Sequence, residues 1–284
     1  MSVPDRFHIS WQNDIASYTI ASDVAAETAY PLTNMQNANA NEFTVIDMSA
    51  DSAVVFTGSS ATLRTATCFS IHNHTMPSDN TARLELFDGE SQTGTTVYDS
   101  TTTSIAHTRP WGSIIAGINP LGGYFEATSN MKTHFSLWFE SVEYKSFRIT
   151  ISAPTSTDDL LRIDKLWLGF AFCPRYGPEF NHQSTQVEPS EHDRKPGGGM
   201  ETVEDYSYRE MSFEFAGVEN SERHVLRSIL DEAKKGGDLL ITNDPNDVKS
   251  QNYEMTSIFR RTTNNSFSAA KFNWNNFGLA VEEN

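Results

Sequence analysis

Two histidines spaced two residues apart, His72 and His74, are the residues whose spacing most directly indicates chemistry. On a β-strand, side chains at i and i+2 project to the same face, so these imidazoles could chelate a metal ion if a third ligand such as His107 or His134 approached. The alternative is a strand end at which His72, Asn73 and His74 hydrogen-bond a turn. The strand end is favoured because two histidines do not complete a metal site. The sequence therefore predicts no metal ligand and no cofactor.

Paired acids at Asp158 and Asp159, with Asp164 close behind, are a second candidate for metal binding. Carboxylate oxygens are the ligands that Ca²⁺ prefers in proteins. The spacing matches no recognised calcium loop, so a solvated turn is the favoured interpretation.

A proline-marked connection at 107–112 combines His107, Arg109 and Trp111. An exposed tryptophan beside a cation is typical of a patch that stacks on a glycan or docks a protein. The alternative is that Trp111 folds back over the edge of its own domain. These three residues are the candidate contacts for a carbohydrate or a partner.

No catalytic constellation is recognisable. A serine nucleophile elbow would have the pattern Gly-x-Ser-x-Gly, which does not occur, and the glycine run at 197–199 lacks the strand, helix and lysine of a phosphate loop. A glycan-cleaving enzyme needs two carboxylates about 5 to 10 Å apart in a cleft, and a sequence alone does not locate such a pair. The sequence therefore predicts no catalytic residues and a protein that is not an enzyme.

Composition bounds the class of protein. The 284 residues are 38% hydrophobic and 20% charged, which is typical of a globular chain of about two domains. Lys and Arg number 21 against 37 Asp and Glu, so the net charge of −16 disfavours binding to nucleic acid or to anionic lipid. No apolar run approaches the roughly 18 residues of a membrane span, and no secretory signal is visible, so we expect synthesis in the cytoplasm without membrane insertion.

The only two cysteines, Cys68 and Cys173, each lie in an apolar, strand-like run. Two isolated cysteines cannot form a structural zinc site alone, and cytosolic thiols usually stay reduced. We interpret both as small buried hydrophobic side chains.

Alternation of apolar and polar residues recurs through the first two-thirds of the chain and indicates short strands separated by turns. The clearest segments are 43–48, 53–56, 66–71, 82–88, 135–139, 147–151 and 161–172. No convincing helix intervenes, so the pattern predicts an antiparallel β-sandwich or barrel in a first domain over residues 1–175.

Apolar residues almost vanish around 176–200, which we interpret as an extended linker. Residues 201–284 then begin with an alternating strand at 206–215, followed by one helix at 221–235. Asn220 or Ser221 is its expected cap, glycines at 236–237 its expected end, and its apolar stripe comprises Val225, Leu226, Ile229, Leu230 and Ala233. The sequence thus predicts an all-β fold with a smaller C-terminal β-barrel or sandwich carrying one α-helix.

Three motifs occur in the order found in a known family. They are Tyr-Pro-x-x-Asn at 30–34, His-Asn at 72–73 and Arg-Ile-x-x-Leu-x-x-Gly at 162–169. In this order they resemble the galactose-binding-like (discoidin-type) jelly roll in tail proteins of long-tailed bacteriophages, over about residues 15–175. The resemblance implies a jelly roll and a structural, strand-end role for His72 and Asn73.

The second domain is similar in layout to the tail-tube-like barrel with which distal tail and baseplate proteins form rings. This implies a virion structural protein of a siphophage-like tail tip or baseplate, assembled as a homo-oligomeric ring such as a hexamer or trimer beside other tail proteins. An acidic lumen would repel the DNA passing through. The expected ring contacts are the helix and the strand residues Tyr206, Tyr208, Met211, Phe213 and Phe215.

The alternative function is a carbohydrate-binding adhesin whose jelly roll recognises host surface polysaccharide. Its candidate contacts are His107, Arg109 and Trp111.

Overall fold

The structure is a computed structural model. It describes residues 6–37, 42–76, 80–104, 134–152, 160–178, 183–187, 190–194, 200–204, 208–234, 237–243, 245, 256–262, 267–271 and 274–283. Within these ranges the chain is built from antiparallel strands and a single α-helix, which confirms the predicted all-β class. None of the described segments is a helix of the length and apolar character needed to cross a membrane.

Contacts divide the chain into two compact units. The first unit comprises Met1–Cys173 together with Leu240–Ser257, and the second comprises Pro174–Leu239 together with Ile258–Asn284. The chain thus returns to the first unit after the helix, whereas the sequence analysis assigned all of 201–284 to one C-terminal domain.

Among the described residues, the N-terminal part of the first unit contains ten strands. They are β1 (His8–Ser10), β2 (Thr19–Ser22), β3 (Thr44–Asp47), β4 (Ala53–His74), β5 (Thr81–Phe87), β6 (Thr96–Asp99), β7 (Thr103–Ser104), β8 (His134–Ser152), β9 (Leu160–Gly169) and β10 (Ala171–Phe172). The main sheet has the order β3-β9-β4-β8-β5-β6, with β2 on β4 and β7 on β5. Short 3₁₀ turns lie at Asp14–Ser17, Leu32–Gln36 and Glu90–Gln92.

Two very long strands dominate this sheet. The predicted segments 53–56 and 66–71 are parts of the 22-residue β4, and 135–139 with 147–151 are parts of the 19-residue β8. The two strands pair along their length, with register shifts between Ser59 and Arg64 and between Ala66 and Cys68. Such bulges bend a strand and increase its twist, so one ladder curves around a single core.

The core of the first unit lies against this ladder. Side chains with no solvent exposure include Phe56, Phe69, Ile71, Leu84, Phe147 and Ile149 from the strands, joined by Ile15 and Met35 from the 3₁₀ turns. Cys68 is also fully buried, as predicted, and burial raises the pKa of its thiol to about 12. Cys173 is half-buried and accepts a hydrogen bond from Arg6 Nε at 2.9 Å.

A polar network is buried at the edge of that core. The Tyr144 hydroxyl donates to Asp14 Oδ2 at 3.1 Å, and Arg64 Nη1 lies 3.8 Å from Asp14 Oδ1. Burial raises the pKa of the Asp14 carboxyl above its ordinary value, and the Tyr144 hydrogen bond and the Arg64 charge oppose this only in part. Charged Asp14 therefore costs stability that protonation relieves.

The remaining strands follow along the chain. They are β11 (Gln183–Val187), β12 (Ser190–Arg194), β13 (Met200–Glu204), β14 (Tyr208–Glu219), β15 (Asp238–Thr242), β16 (Thr256–Arg261), β17 (Phe267–Lys271) and β18 (Trp274–Glu283). In the second unit β14 pairs with β11 and β18, and β18 also pairs with β16 and β17. In the first unit β1 pairs with β10 and with residues 240–242 of β15.

The segment predicted as an extended linker contains strands. β11 pairs with β14, and β12 pairs with β13 as a two-stranded ribbon. Backbone hydrogen bonds form strands even where apolar side chains are sparse, and composition therefore gave no sign of them.

The helix α1 spans Asn220–Ala233 and buries Leu226, Ile229, Leu230 and Ala233. Two details of the prediction are wrong. Val225 is 40% exposed and lies outside the buried stripe, and the N-cap position is Glu219, whose backbone is extended, one residue before the predicted Asn220. The helix ends at Lys234, which has a positive φ of 53°.

Gly58 provides a test of the long ladder. A Cβ at Gly58 would collide with the buried ring of Phe147, its partner on β8. We expect Gly58→Ala to destabilise the protein by about 1–3 kcal/mol, because the ring must leave its packed position. Gly278→Ala on β18 meets no atom within 4 Å and is the matched control. Thermal or urea unfolding measures both, and equal midpoints for the two variants would contradict this packing.

Asp14 predicts a pH dependence. Because its folded pKa lies above the unfolded value, the folded state binds the proton first, and stability relative to Asp14→Asn rises as pH falls through the raised pKa. Asp99 is the control. The hydrogen bond from Arg83 lowers the pKa of Asp99, so the stability that its charge contributes is lost only as pH falls below the ordinary pKa of an aspartate. The free energy of unfolding in urea is measured from about pH 7 to about pH 4. As pH falls over this range, the difference between the wild type and Asp14→Asn should become smaller, whereas the corresponding difference for the Asp99 control should not. A difference for Asp14→Asn that stays constant over this range would count against the raised pKa.

Candidate functional site

Several residues that the sequence singled out lie outside the described residues. These are His107, Arg109 and Trp111 of the candidate carbohydrate or partner patch, Asp158 and Asp159 of the expected solvated turn, and Tyr206 of the expected ring contact. The contact made by the patch therefore stays a prediction.

The predicted ring strand is packed within its own unit. Met211, Phe213 and Phe215 on β14 are at most 2% exposed, and the Phe215 ring stacks on Phe277 at 5.6 Å. Both edges of β14 are paired, with β11 and with β18. Tyr208 is half-buried beside them. The ring contact stays a prediction, and it would have to use other groups than these three side chains.

The two histidines of the predicted strand end lie at the end of β4. His72 lies opposite both His134 on β8 and Lys165 on β9, and all three are buried. His74 Nδ1 accepts the backbone N–H of Met76 at 3.2 Å, which is the kind of hydrogen bond expected of His74 at a strand end. Across the described ranges, no three His, Cys, Asp or Glu residues are grouped so that they could hold a metal ion.

Asn73, between the two histidines, is part of the candidate site. It has a positive φ of 48°, and its side-chain amide donates to Asp164 Oδ2 on β9. Asp164 Oδ1 accepts from Arg162 Nε at 3.0 Å, so the carboxylate is held from both sides and is only 5% exposed. A residue in the left-handed region costs energy unless its surroundings fix it, and these hydrogen bonds supply that constraint.

Aromatic rings continue the same site. The Arg162 guanidinium carbon lies 3.7 Å from the centroid of the Phe43 ring, and Tyr30 stacks on Phe43 at 4.7 Å with 15° between the ring planes. Tyr30 is 36% exposed, and the Arg162 side chain is 40% exposed. We name the group formed by Tyr30, Phe43, Asn73, Arg162 and Asp164 the Tyr30 platform.

Local hydrogen bonds explain how the sequence places Tyr30. Its carbonyl accepts the Val45 N–H at 3.4 Å, and the Pro31 carbonyl accepts the Thr44 hydroxyl at 2.8 Å. The Asn34 amide donates to the Phe43 carbonyl at 2.8 Å. The Tyr-Pro-x-x-Asn motif therefore straps its segment onto the start of β3, which fixes Tyr30 over Phe43.

The polar side of the platform keeps hydrogen-bonding capacity. Within the described residues, neither terminal nitrogen of Arg162 nor the side-chain oxygen of Asn73 has a hydrogen-bond partner. The Arg162 backbone N–H donates to Thr75 Oγ1 at 2.9 Å, and the Thr75 N–H donates to the Arg162 carbonyl at 3.1 Å, which fixes β9 against the end of β4.

The side chains of this arrangement are suited to non-covalent contact with a ligand. The arrangement combines an exposed aromatic ring, several donors, one amide acceptor and an Arg–Asp pair whose charges cancel. Such a surface suits a ligand with an apolar face and polar edges and no net charge. Tyr30 and Arg162 both lie in the motifs that carry the family resemblance, but the sequence did not indicate that both contact the ring of Phe43.

Neither a protein family model nor a curated protein sequence matches the chain. Solved structures with partial similarity over about half of this chain include carbohydrate-binding modules and fucosidases. A chitosan-binding module from a chitosanase/glucanase of Paenibacillus sp. IK-5 is 10% identical with a TM-score of 0.38, over 55% of this chain and 98% of the module. The family 32 module of Clostridium perfringens NanJ, solved with galactose, is 11% identical with a TM-score of 0.34, over 56% and 98%.

A further Clostridium perfringens module, solved with GalNAc-β-1,3-galactose, is 6% identical with a TM-score of 0.36, over 56% of this chain and 99% of the module. At these identities and TM-scores, no ligand and no residue role is transferred to this chain.

Proposed function

We propose that this chain is a carbohydrate-binding protein, not an enzyme, and that the Tyr30 platform is its glycan site. The observation that carries the proposal is the stack of exposed Tyr30 on Phe43, with Arg162, Asp164 and Asn73 beside it.

The platform matches the two surfaces of a sugar ring. The C–H face of a pyranose is apolar and packs on an aromatic ring, while its hydroxyls exchange hydrogen bonds with planar side chains. Arg162 donates through two open nitrogens and Asn73 accepts through its amide oxygen. These groups suit adjacent hydroxyls.

Charge narrows the class of glycan. Asp164 cancels the charge of Arg162 locally, and the whole chain carries −16. An anionic polysaccharide would therefore be repelled at long range without a compensating cation at the site. The proposed ligand is a neutral or amino-sugar glycan of a bacterial surface.

The test is titration of the full chain with neutral surface polysaccharides and their oligosaccharides. We expect Tyr30→Ala to weaken binding about tenfold, because one stacked ring contributes on the order of 1 kcal/mol or slightly more. Tyr30→Phe should retain most of the affinity, and Leu63→Ala, at a side chain 50% exposed in the same unit, is the surface control.

Unchanged binding by Tyr30→Ala would remove the platform from the proposal. Loss of binding in Trp111→Ala instead would assign the site to the patch of His107, Arg109 and Trp111.

A second candidate function is a structural subunit of a bacteriophage tail tip, present in the virion and assembled as a ring with other tail proteins. The β12–β13 ribbon favours it, since its two strands pair with each other and with no other described strand. A lone two-stranded ribbon is marginal in water and gains stability from a partner. The acidic net charge suits a channel that passes DNA.

This candidate predicts that the purified chain forms a ring and that deletion of 190–204 reduces it to monomer, because the deletion removes the ribbon. Light scattering gives the mass, and negative-stain imaging of the same sample shows any central hole. Tyr30→Ala should assemble as the wild type does. A wild-type chain that stays monomeric, alone and with its tail neighbours, would contradict the assembly role.

A further inference from the structure

A second exposed aromatic pair lies in the second unit. Tyr176 is 45% exposed and Trp274 is 36% exposed, and their ring centroids lie 5.8 Å apart with 42° between the planes. Because the two exposed rings are adjacent, they form one aromatic surface with polar groups at its edge.

The backbone makes room for the tryptophan. Trp274 begins β18 and lies opposite Glu219 on β14, next to a register shift in the ladder between these strands. Gly217 sits in that shift with a positive φ of 87°, and a Cβ there would come within 2.9 Å of the Trp274 ring. The indole therefore lies directly on the backbone of Gly217, and a larger residue at 217 would displace it.

The tyrosine is also held in place. The backbone N–H of the preceding residue, Arg175, donates to Glu222 Oε1 at 2.6 Å, and Arg175 Nη1 donates to Glu219 Oε1 at 2.9 Å. The Arg175 guanidinium carbon lies 5.6 Å from the centroid of the Tyr176 ring. The first turn of α1 thus fixes the segment that carries Tyr176, which lowers the entropy cost of binding a ligand there.

The groups offered to a ligand resemble those of the Tyr30 platform. The Tyr176 hydroxyl and Trp274 Nε1 have no hydrogen-bond partner among the described residues. The charge of Arg175 is matched by Glu219. Each of the two sites therefore combines two adjacent aromatic rings, an arginine that lies against one of these rings and a carboxylate that pairs with the arginine.

We propose that Tyr176 and Trp274 form a second saccharide site, which makes the chain bivalent for neutral glycans. This inference rests on the proposed function, because the ligand class is argued from the chemistry that the two sites share. A pyranose packs its C–H face on the exposed indole, and its hydroxyls accept from Trp274 Nε1 and from the Tyr176 hydroxyl. Because its charge is paired with Glu219, Arg175 can orient the saccharide through directional hydrogen bonds without adding net charge to the site.

The test counts sites on the full chain. Calorimetric titration uses short oligosaccharides terminated in galactose, N-acetylgalactosamine or N-acetylglucosamine. We expect two sites in the wild type, one in Trp274→Ala, one in Tyr30→Ala and none in the double variant. Tyr176→Ala, at an exposed position outside any strand or helix, repeats the test if Trp274→Ala folds poorly. Trp274→Phe is the matched control, because it keeps a stacking face and removes the donor.

The outcomes separate the two proposals. A single site that Tyr30→Ala removes and Trp274→Ala leaves intact overturns the second site and supports the proposed function. A single site removed only by Trp274→Ala supports the second site and overturns the role of the Tyr30 platform. Absence of any saccharide binding overturns both, and binding of a proline-rich peptide that requires Trp274, without saccharide binding, reassigns the pair to peptide recognition.

Discussion

The antiparallel ladder between β4 and β8 is the constraint on which the first unit depends. It carries Phe56, Phe69 and Phe147 into the core, and β9 and β5 attach to its two sides. The platform inherits its geometry from this arrangement, because Asn73 lies at the end of β4 and Asp164 lies opposite it on β9. A shift of one residue in that pairing would turn Asp164 to the other face and separate it from Asn73. The strand register that stabilises the ladder therefore also sets the geometry of the site.

Hydrogen bonds to the backbone complete the preparation of both aromatic sites. Hydrogen bonds accepted by the carbonyls of Tyr30, Pro31 and Phe43 hold the segment of Tyr30. Tyr176 is held through the hydrogen bonds of the preceding Arg175 to the first turn of α1. Loops that are free to move lose conformational entropy when they bind, whereas rings already held in position do not. This difference distinguishes the two pairs from singly exposed apolar side chains such as Leu63, which is 50% exposed.

Local patterns predicted the elements better than their connections. Alternation located the segment at 82–88 and the helix, because each of these has a periodicity of its own. The region between 56 and 66 is rich in Gly, Ser and Thr and looked like a turn, yet it continues β4, since pairing with β2 and β8 overrides composition. Similarly, Arg162 reaches the ring of Phe43, on which Tyr30 stacks, through the pairing of β3 with β9, a long-range register that no local pattern encodes.

The paired charges of the two sites bear on how the acidic chain can serve both candidate functions. An unpaired arginine in a protein of charge −16 would be a local attractor for phosphate and carboxylate, and binding through it would vary strongly with salt. Asp164 and Glu219 remove that attraction while leaving donors available on Arg162. At the proposed sites, ligand selection would then rest on stacking and hydrogen bonding, which the overall acidity leaves largely undisturbed. The same acidity can repel DNA from a lumen without weakening contact with a neutral glycan, so assembly around a tail axis and recognition of a surface polysaccharide are physically compatible in one chain.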